Sequence, residues 1–342
     1  MGRWVARIGF GIIGLLLLAV IAGYAFLPTR VEVTRETTIA RPPATVFTLV
    51  NSLRTFDEWS LFTERDPDMT LSYEGPEFGP VQASTWDGPI NGKGRQTLID
   101  ATPYERVDFT LFFEGQGEAR YSIRLTPVDD GTQVAWSFFT ETTWPNLLER
   151  AFFPFIPGFV SADYDKGLGY LKNLAESLPE ADFADLNAEF AEAEPRAFVY
   201  TSITVEGDEA AHAQAYETAL RTVADALTDQ VAEIGEEAVL TTRWAPPIWA
   251  FDAGFIVKSG RAIDLPSGVA LKETPAGPVV RAYADANRGD LRTVYAKLDA
   301  FVAAHRRVVT AGPLEIDAPS LDGSGFVTLI EMPVAPVEGR GP

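Results

Sequence analysis

One stretch of the chain is apolar without interruption. Ile8 to Leu27 carries no charge and is built of Ile, Leu, Val, Ala, Gly and Phe with one Tyr, close to the roughly 20 residues that span bilayer hydrocarbon. It predicts a transmembrane helix. Arg3 and Arg7 precede it, while Arg30 and Arg35 beyond it alternate with Glu32 and Glu36. The positive-inside rule therefore places the N-terminus in the cytoplasm and the body on the translocated side, periplasmic or extracellular. The same residues admit a cleaved signal peptide, with Gly23-Tyr24-Ala25 as the small-x-small site. Ala6 stands where a myristoylation signal needs Ser or Thr, so lipidation is not indicated.

From Val31 the period changes to two. Val31 to Ile39 alternates with β-branched residues and stops at Arg41-Pro42-Pro43, which reads as a strand. Val46, Phe47 and Val50 then recur at helical spacing behind a first-turn proline, and Arg54 to Trp59 predicts a second short helix. Six strand patterns follow: Met69 to Tyr73, Val81 to Trp86, Gly94 to Ala101, Val107 to Phe113, Ala119 to Thr126 and Thr132 to Thr140. Turn residues such as Asp87-Gly88-Pro89 and Asp129-Asp130-Gly131 separate them. A Phe- and Pro-rich loop is expected over Trp144 to Gly158. Tyr164 to Leu178 then sets Leu168, Leu171, Leu174 and Ala175 on one face of a closing helix.

Pro179 to Pro195 contains six acids and no Lys or Arg, and predicts an exposed acidic linker. Beyond it the pattern repeats. Phe198 to Val205 (strand), Glu209 to Gln230 (helix), Val239 to Trp244 and Gly254 to Lys258 (strands) form one βαββ unit. Val279 to Ala284, Leu291 to Arg307, Leu314 to Ile316 and Phe326 to Met332 form a second. The expected organisation is α+β: anchor 1–30, first domain 31–178, linker 179–195, a pseudo-symmetric doubled βαββ domain 196–334, and a disordered tail 335–342.

Composition narrows the chemistry. A net charge of -20 excludes a nucleic-acid surface, which needs clustered Lys and Arg. With no cysteine there is no thiolate nucleophile and no disulfide. The two histidines, His212 and His305, fall in separate helices without a third ligand, so no metal and no cofactor is expected; His305 beside Arg306 and Arg307 reads as a cation at a helix C-terminus. Gly9-x-Gly11-x-x-Gly14 matches a dinucleotide string but lies inside the apolar span with no strand before it.

Two sets of motifs resemble known families. Thr38-Ile39-Ala40-Arg41-Pro42-Pro43, Asp57-Glu58-Trp59-Ser60, Gly92-Lys93-Gly94, Pro103-Tyr104-Glu105-Arg106-Val107, Gly131-Thr132-Gln133-Val134 and Gly167-Leu168 together resemble the polyketide cyclase/START-like (SRPBCC) superfamily. That resemblance implies a helix-grip fold in which a curved sheet wraps a long C-terminal helix around a ligand cavity. Trp59, Trp86, Phe109, Phe112 and Trp136 are the aromatics expected to line it, each with a plain core role as the alternative. Gly312-Pro313-Leu314-Glu315-Ile316 and Val327 to Val334 resemble the last two strands of the gyrase-inhibitor-like or AraC-type effector-binding domain. This likeness implies a groove for small aromatic cations with an acid on its floor, here Glu315, though Asp317-Ala318-Pro319 replaces the family's usual aromatic-Pro. Trp244, Trp249 and Tyr283 are the expected stacking partners.

These readings make the chain a membrane-anchored binder or sensor of small hydrophobic or amphipathic molecules. The alternative is a metal-independent hydrolase or cyclase, with Glu315 as base and Tyr283 nearby. No Gly-x-Ser-x-Gly elbow supports nucleophilic catalysis.

Overall fold

The computed structural model describes residues 2–115, 117–142, 146–228, 234–257, 264–285, 291–319 and 326–337. They divide into two units, Met1–Asp182 and Phe183–Pro342.

The first unit opens with α1 (Gly2–Phe26), β1 (Arg30–Ile39) and the short helices α2 (Pro43–Val50), α3 (Leu53–Trp59) and α4 (Leu61–Arg65). A meander follows: β2 (Thr70–Glu74), β3 (Ala83–Gly88), β4 (Gly92–Thr102), β5 (Arg106–Phe113), β6 (Gly117–Val128) and β7 (Gly131–Glu141). The unit closes with α5 (Leu147–Phe152), a 3-10 turn and α6 (Ile156–Glu176). The sheet order is β1-β7-β6-β5-β4-β3-β2, with β1 antiparallel to β7 in the register Val33↔Phe138. The N-terminal strand thus closes the sheet beside the last one.

The expected loop Trp144 to Gly158 is instead mostly helical. Prolines 154 and 157 lie at first-turn positions, where the missing N–H costs nothing, and Trp144 itself lies outside the described residues. Tyr164, Gly167, Leu168, Leu171 and Ala175 form the buried stripe of α6. Glycine is needed at 167: a Cβ there would stand 2.9 Å from the Trp136 ring. The span Ile8 to Leu27 falls almost wholly within α1. Among the described residues, which leave out the side chains of 1–11 and 19, no helix is long and apolar enough to cross a membrane.

The second unit contains β8 (Ala188–Ala193), β9 (Ala197–Glu206), α7 (Glu209–Leu227), β10 (Ile234–Ala245), β11 (Ile248–Val257), β12 (Ala270–Glu273), β13 (Gly277–Asp285), α8 (Leu291–Ala304), β14 (Arg307–Val309), β15 (Leu314–Pro319) and β16 (Phe326–Pro336). The strands run β12-β9-β11-β10-β15-β16-β13-β8, and β14 pairs with β16 to one side. Asp208 caps α7 by accepting from the Ala211 N–H at 3.0 Å.

Three expectations change here. The acidic linker is partly a strand: β8 pairs with β13 in the register Val280↔Phe190, and Phe183 is buried. Leu186 and Ala188 pack against the core beneath α8 and Phe190 meets Phe301 at 5.5 Å, while the glutamates sit on an edge strand, which tolerates charge. The tail begins later than residue 335, because Ala335 and Pro336 belong to β16 and pair with β14; residues 338–342 lie outside the described residues. His305 does follow the last residue of α8, but as a half-buried neutral ring whose Nδ1 lies 2.8 Å from the Phe301 carbonyl, with a pKa pushed down to about 4 chiefly by desolvation.

Candidate functional site

Cross-strand register decides which side chains share a face of the second sheet. Ala282, Ile330, Glu315, Val239 and Ala253 stand in one row across β13, β16, β15, β10 and β11. Val239 and Ala253 pack beside Ala215, Tyr216 and Ala219 of α7, and Ala282 and Ile330 beside Val294, Tyr295 and Leu298 of α8. Glu315 therefore lies on the helix-covered face, where the two halves of the sheet meet. Tyr295 of α8 donates to Glu315 Oε1 at 2.6 Å.

Glu315 belongs to a cluster of acids. Burial pushes its carboxyl pKa above the usual range and Asp317 pushes it further, against the hydrogen bond from Tyr295. Glu237, although exposed, is raised too, by partial desolvation and then by Asp317. Asp317 accepts from Thr328 Oγ1 at 3.0 Å. Tyr216 of α7 is raised by burial and then by Asp317, Glu237 and Glu315, so both tyrosines are neutral donors facing carboxylates. Among the described residues no group of three His, Cys, Asp or Glu is placed to hold a metal ion.

The neighbouring row, Tyr283, Leu329, Ile316, Ala238 and Gly254, faces the other way. That displaces Tyr283 from Glu315: one residue of register exchanges the faces of a sheet. Tyr295 takes the part expected of Tyr283, and its signal, a tyrosine amid the apolar positions of α8, looked like core. Trp249 does lie on the helix-covered face beside Phe251, with ring centroids 4.0 Å apart, and it donates through Nε1 to Thr241 at 3.1 Å. Trp244 and His212 complete this aromatic group at 5.8–6.1 Å. Four residues and two strands separate Trp249 from the Glu315 row, about 17 Å on strand geometry, so the two are separate stations.

In the first unit the interior between sheet and helices is aromatic. Trp59 of α3 meets Phe56 at 4.8 Å and Trp136 of β7 at 5.2 Å, and Tyr164 of α6 stacks on Trp136 at 3.8 Å. Phe109 stacks on Tyr121 at 4.3 Å. A polar thread runs through it: Tyr121 donates to Gln96 Oε1 at 2.9 Å, and Gln96 Nε2 donates to Ser84 Oγ at 3.0 Å. Burial holds the Tyr121 and Tyr164 hydroxyls well above the ordinary tyrosine value. Among the described residues, Trp59 Nε1, Thr55 Oγ1 and Ser60 Oγ are buried without a hydrogen-bond partner.

Of the expected lining residues, Trp59, Phe109 and Trp136 come together. Trp86 sits in a different group with Phe62 and Phe113, at 5.3 and 5.4 Å; Gly94 makes room for it, since a Cβ there would stand 2.1 Å from its ring. Phe112 faces outward at 46% exposure, because Val107 and Phe109 fix the inward parity of β5. Phe56, Tyr121, Tyr164 and Gln96 were not anticipated.

Residues 30–176 match the family model described as polyketide cyclase / dehydrase and lipid transport. This segment is a polyketide cyclase/dehydrase-type domain. Its fold is that of small-hydrophobic-ligand binders, and the cyclase-type domain spans all of β1 to α6. Solved structures similar to the chain include protein CV1439 from Chromobacterium violaceum, at 14% identity and a TM-score of 0.32, covering 44% of this chain and 99% of that one. The EcmrR C-terminal domain matches at 14% identity and a TM-score of 0.36, with the same coverages. CalU16 from Micromonospora echinospora matches at 14% and 0.28, covering 42% of this chain and 80% of that one. A search of the curated proteins finds no match.

Proposed function

We propose that this chain is a membrane-anchored binder of small molecules, with a neutral hydrophobic ligand in the cyclase-type domain and a cationic or hydrogen-bond-donating aromatic ligand in the second unit. The observation that carries it is the cluster of Glu315, Glu237 and Asp317 beneath Tyr216 and Tyr295. A carboxylate partly taken out of water, as Glu315 is, needs a cation or donors to offset its desolvation, and Asp317 and the exposed Glu237 add negative charge near it. The second unit reads as a doubled βαββ effector-binding module, since β9-β11-β10 of the first half and β15-β16-β13 of the second lie head to head in the strand order. Large exposed Ile and Leu side chains along α1 support anchoring.

The test is titration of the full chain in detergent with a tetraarylphosphonium cation and with a neutral analogue of the same shape. Binding of the cation alone, weakened in Glu315→Gln, supports the reading; equal binding of both by wild type and variant overturns it. The Tyr295–Glu315 pair also favours a second reading, a hydrolase with Glu315 as general base. Turnover of small esters or epoxides abolished by Glu315→Gln would establish that instead. For topology, protease should digest the body only from the translocated side of sealed vesicles, and a soluble mature form beginning near Phe26 would replace the anchor by a secreted protein.

A further inference from the structure

The end of α5, the 3-10 turn and the first turn of α6 carry exposed phenylalanines that the ligand sites do not use. From Ala151 to Ala162 the chain has no charged residue, although the protein as a whole is 22% charged. Within that run Phe153, Ile156 and Val160 turn inward against Val31, Val33 and Phe138. Phe152, Phe155 and Phe159, spaced by three and four, turn outward at 69%, 64% and 73% exposure. Three exposed phenylalanines within eight residues of chain are not what a solvated surface carries.

This face adjoins the C-terminal end of α1. Arg150 of α5 donates to the carbonyls of Tyr24, at 3.1 Å, and Leu27, and a Cβ on Gly23 would come within 2.9 Å of Leu147. Phe26, the last residue of α1, is 85% exposed, and α1 exposes Leu15 to Leu18 and Ile21 toward its middle. The apolar surface of α1 thus continues onto the phenylalanine face.

We infer that Phe26, Phe152, Phe155 and Phe159 lie in the surface of a lipid bilayer, so that the cyclase-type domain rests against the membrane on its α5–α6 corner instead of swinging from a tether. The inference rests on the reading of α1 as an anchor. An uncharged aromatic face suits the headgroup and acyl boundary, and with no basic residue in the run its docking does not depend on anionic lipid. A domain held this way would keep one end of its sheet at the surface from which a hydrophobic ligand partitions.

The absence of cysteine lets one be introduced uniquely. Full-length Phe155→Cys, and separately Phe152→Cys and Phe159→Cys, would be labelled with an environment-sensitive fluorophore and reconstituted into phosphatidylcholine vesicles containing brominated lipid. Asp129→Cys is the control: it lies in the β6–β7 turn, whereas Thr142 at the other end of β7 bonds Thr29, about 35 Å away along the strand. Quenching at the three phenylalanine positions at least threefold above that at Asp129 supports the inference. Chain that floats with the vesicles but shows equal quenching at all positions overturns the inference and leaves the anchor standing. Chain that does not float overturns both. A blue shift of the Phe155 label that grows with protein concentration without lipid identifies a second copy as the occupant, and overturns it too.

Discussion

The two units use the same device, an antiparallel sheet with helices against one face, and put opposite chemistry there. In the cyclase-type domain the helix-covered face carries stacked aromatics with neutral polar groups, Tyr121, Gln96 and Ser84 in a chain and Trp59 Nε1 without a partner. In the second unit the corresponding place carries Glu315, Glu237 and Asp317. Under the proposed function, that difference sets what each face would select. Neutral donors cost far less to bury than charges and suit an uncharged hydrophobic molecule, while a carboxylate drawn partly out of water, as Glu315 is, remains expensive until a cation or donor meets it.

The sharpest way to break the comparison is to damage one interior and watch the other. Trp59→Ala removes a fully buried ring between Phe56 and Trp136 and is expected to cost the first unit about 3–5 kcal/mol. Calorimetry of the full chain should show two transitions of which only one moves; a joint shift would mean that the units do not fold separately.

The next effect is of pH and belongs to the second unit. His305 is held neutral, with its pKa pushed down to about 4 from 6.5. The unfolded state therefore binds its proton first, and stability present above about pH 6.5 is lost as pH falls toward 4, on the order of 3 kcal/mol in all. Glu315 and Glu237 act in the opposite sense: raised in the fold, they contribute stability at low pH that is lost as pH rises through their folded values. Denaturant unfolding from pH 4 to 7 isolates the histidine by comparison with His305→Gln, whose acid-side loss should be smaller. Identical slopes for the two proteins would refute the assignment.

A smaller effect sharpens the electrostatic side. Glu315→Gln should weaken binding of an aromatic cation roughly 30-fold, about 2 kcal/mol, and leave a neutral ligand of the first unit unaffected. Because the Glu315 carboxyl is raised, cation affinity of the wild type should also fall on acidification at a higher pH than an ordinary glutamate would give. The least effect is expected at Phe112, which faces outward on β5: Phe112→Ser should change stability by no more than about 0.5 kcal/mol and leave ligand binding in the first unit intact. A large loss would return Phe112 to the cavity.

Periodicity alone determined most of the elements. Alternation in Val31 to Ile39 and the helical spacing of Leu168 and Leu171 depend on neighbours a few residues away; β1 stands where that pattern puts it, and α6 carries the predicted stripe but begins earlier, at Ile156. Glu315 stands on a strand, β15, as its local pattern predicts. What the chain could not disclose by itself was register and partnership. Whether Tyr283 or Tyr295 meets Glu315 depends on which row of the sheet β13 joins and on where α8 lies across it, and both are set by contacts between residues far apart in sequence. Glu237 and Asp317 look like unrelated charges until β10 and β15 pair and bring them together. The acids of 179–195 read as a spacer until β13 offers β8 an open edge. A tertiary structure decides such matters because burial and pairing are properties of two segments at once, and no local pattern in either one contains them.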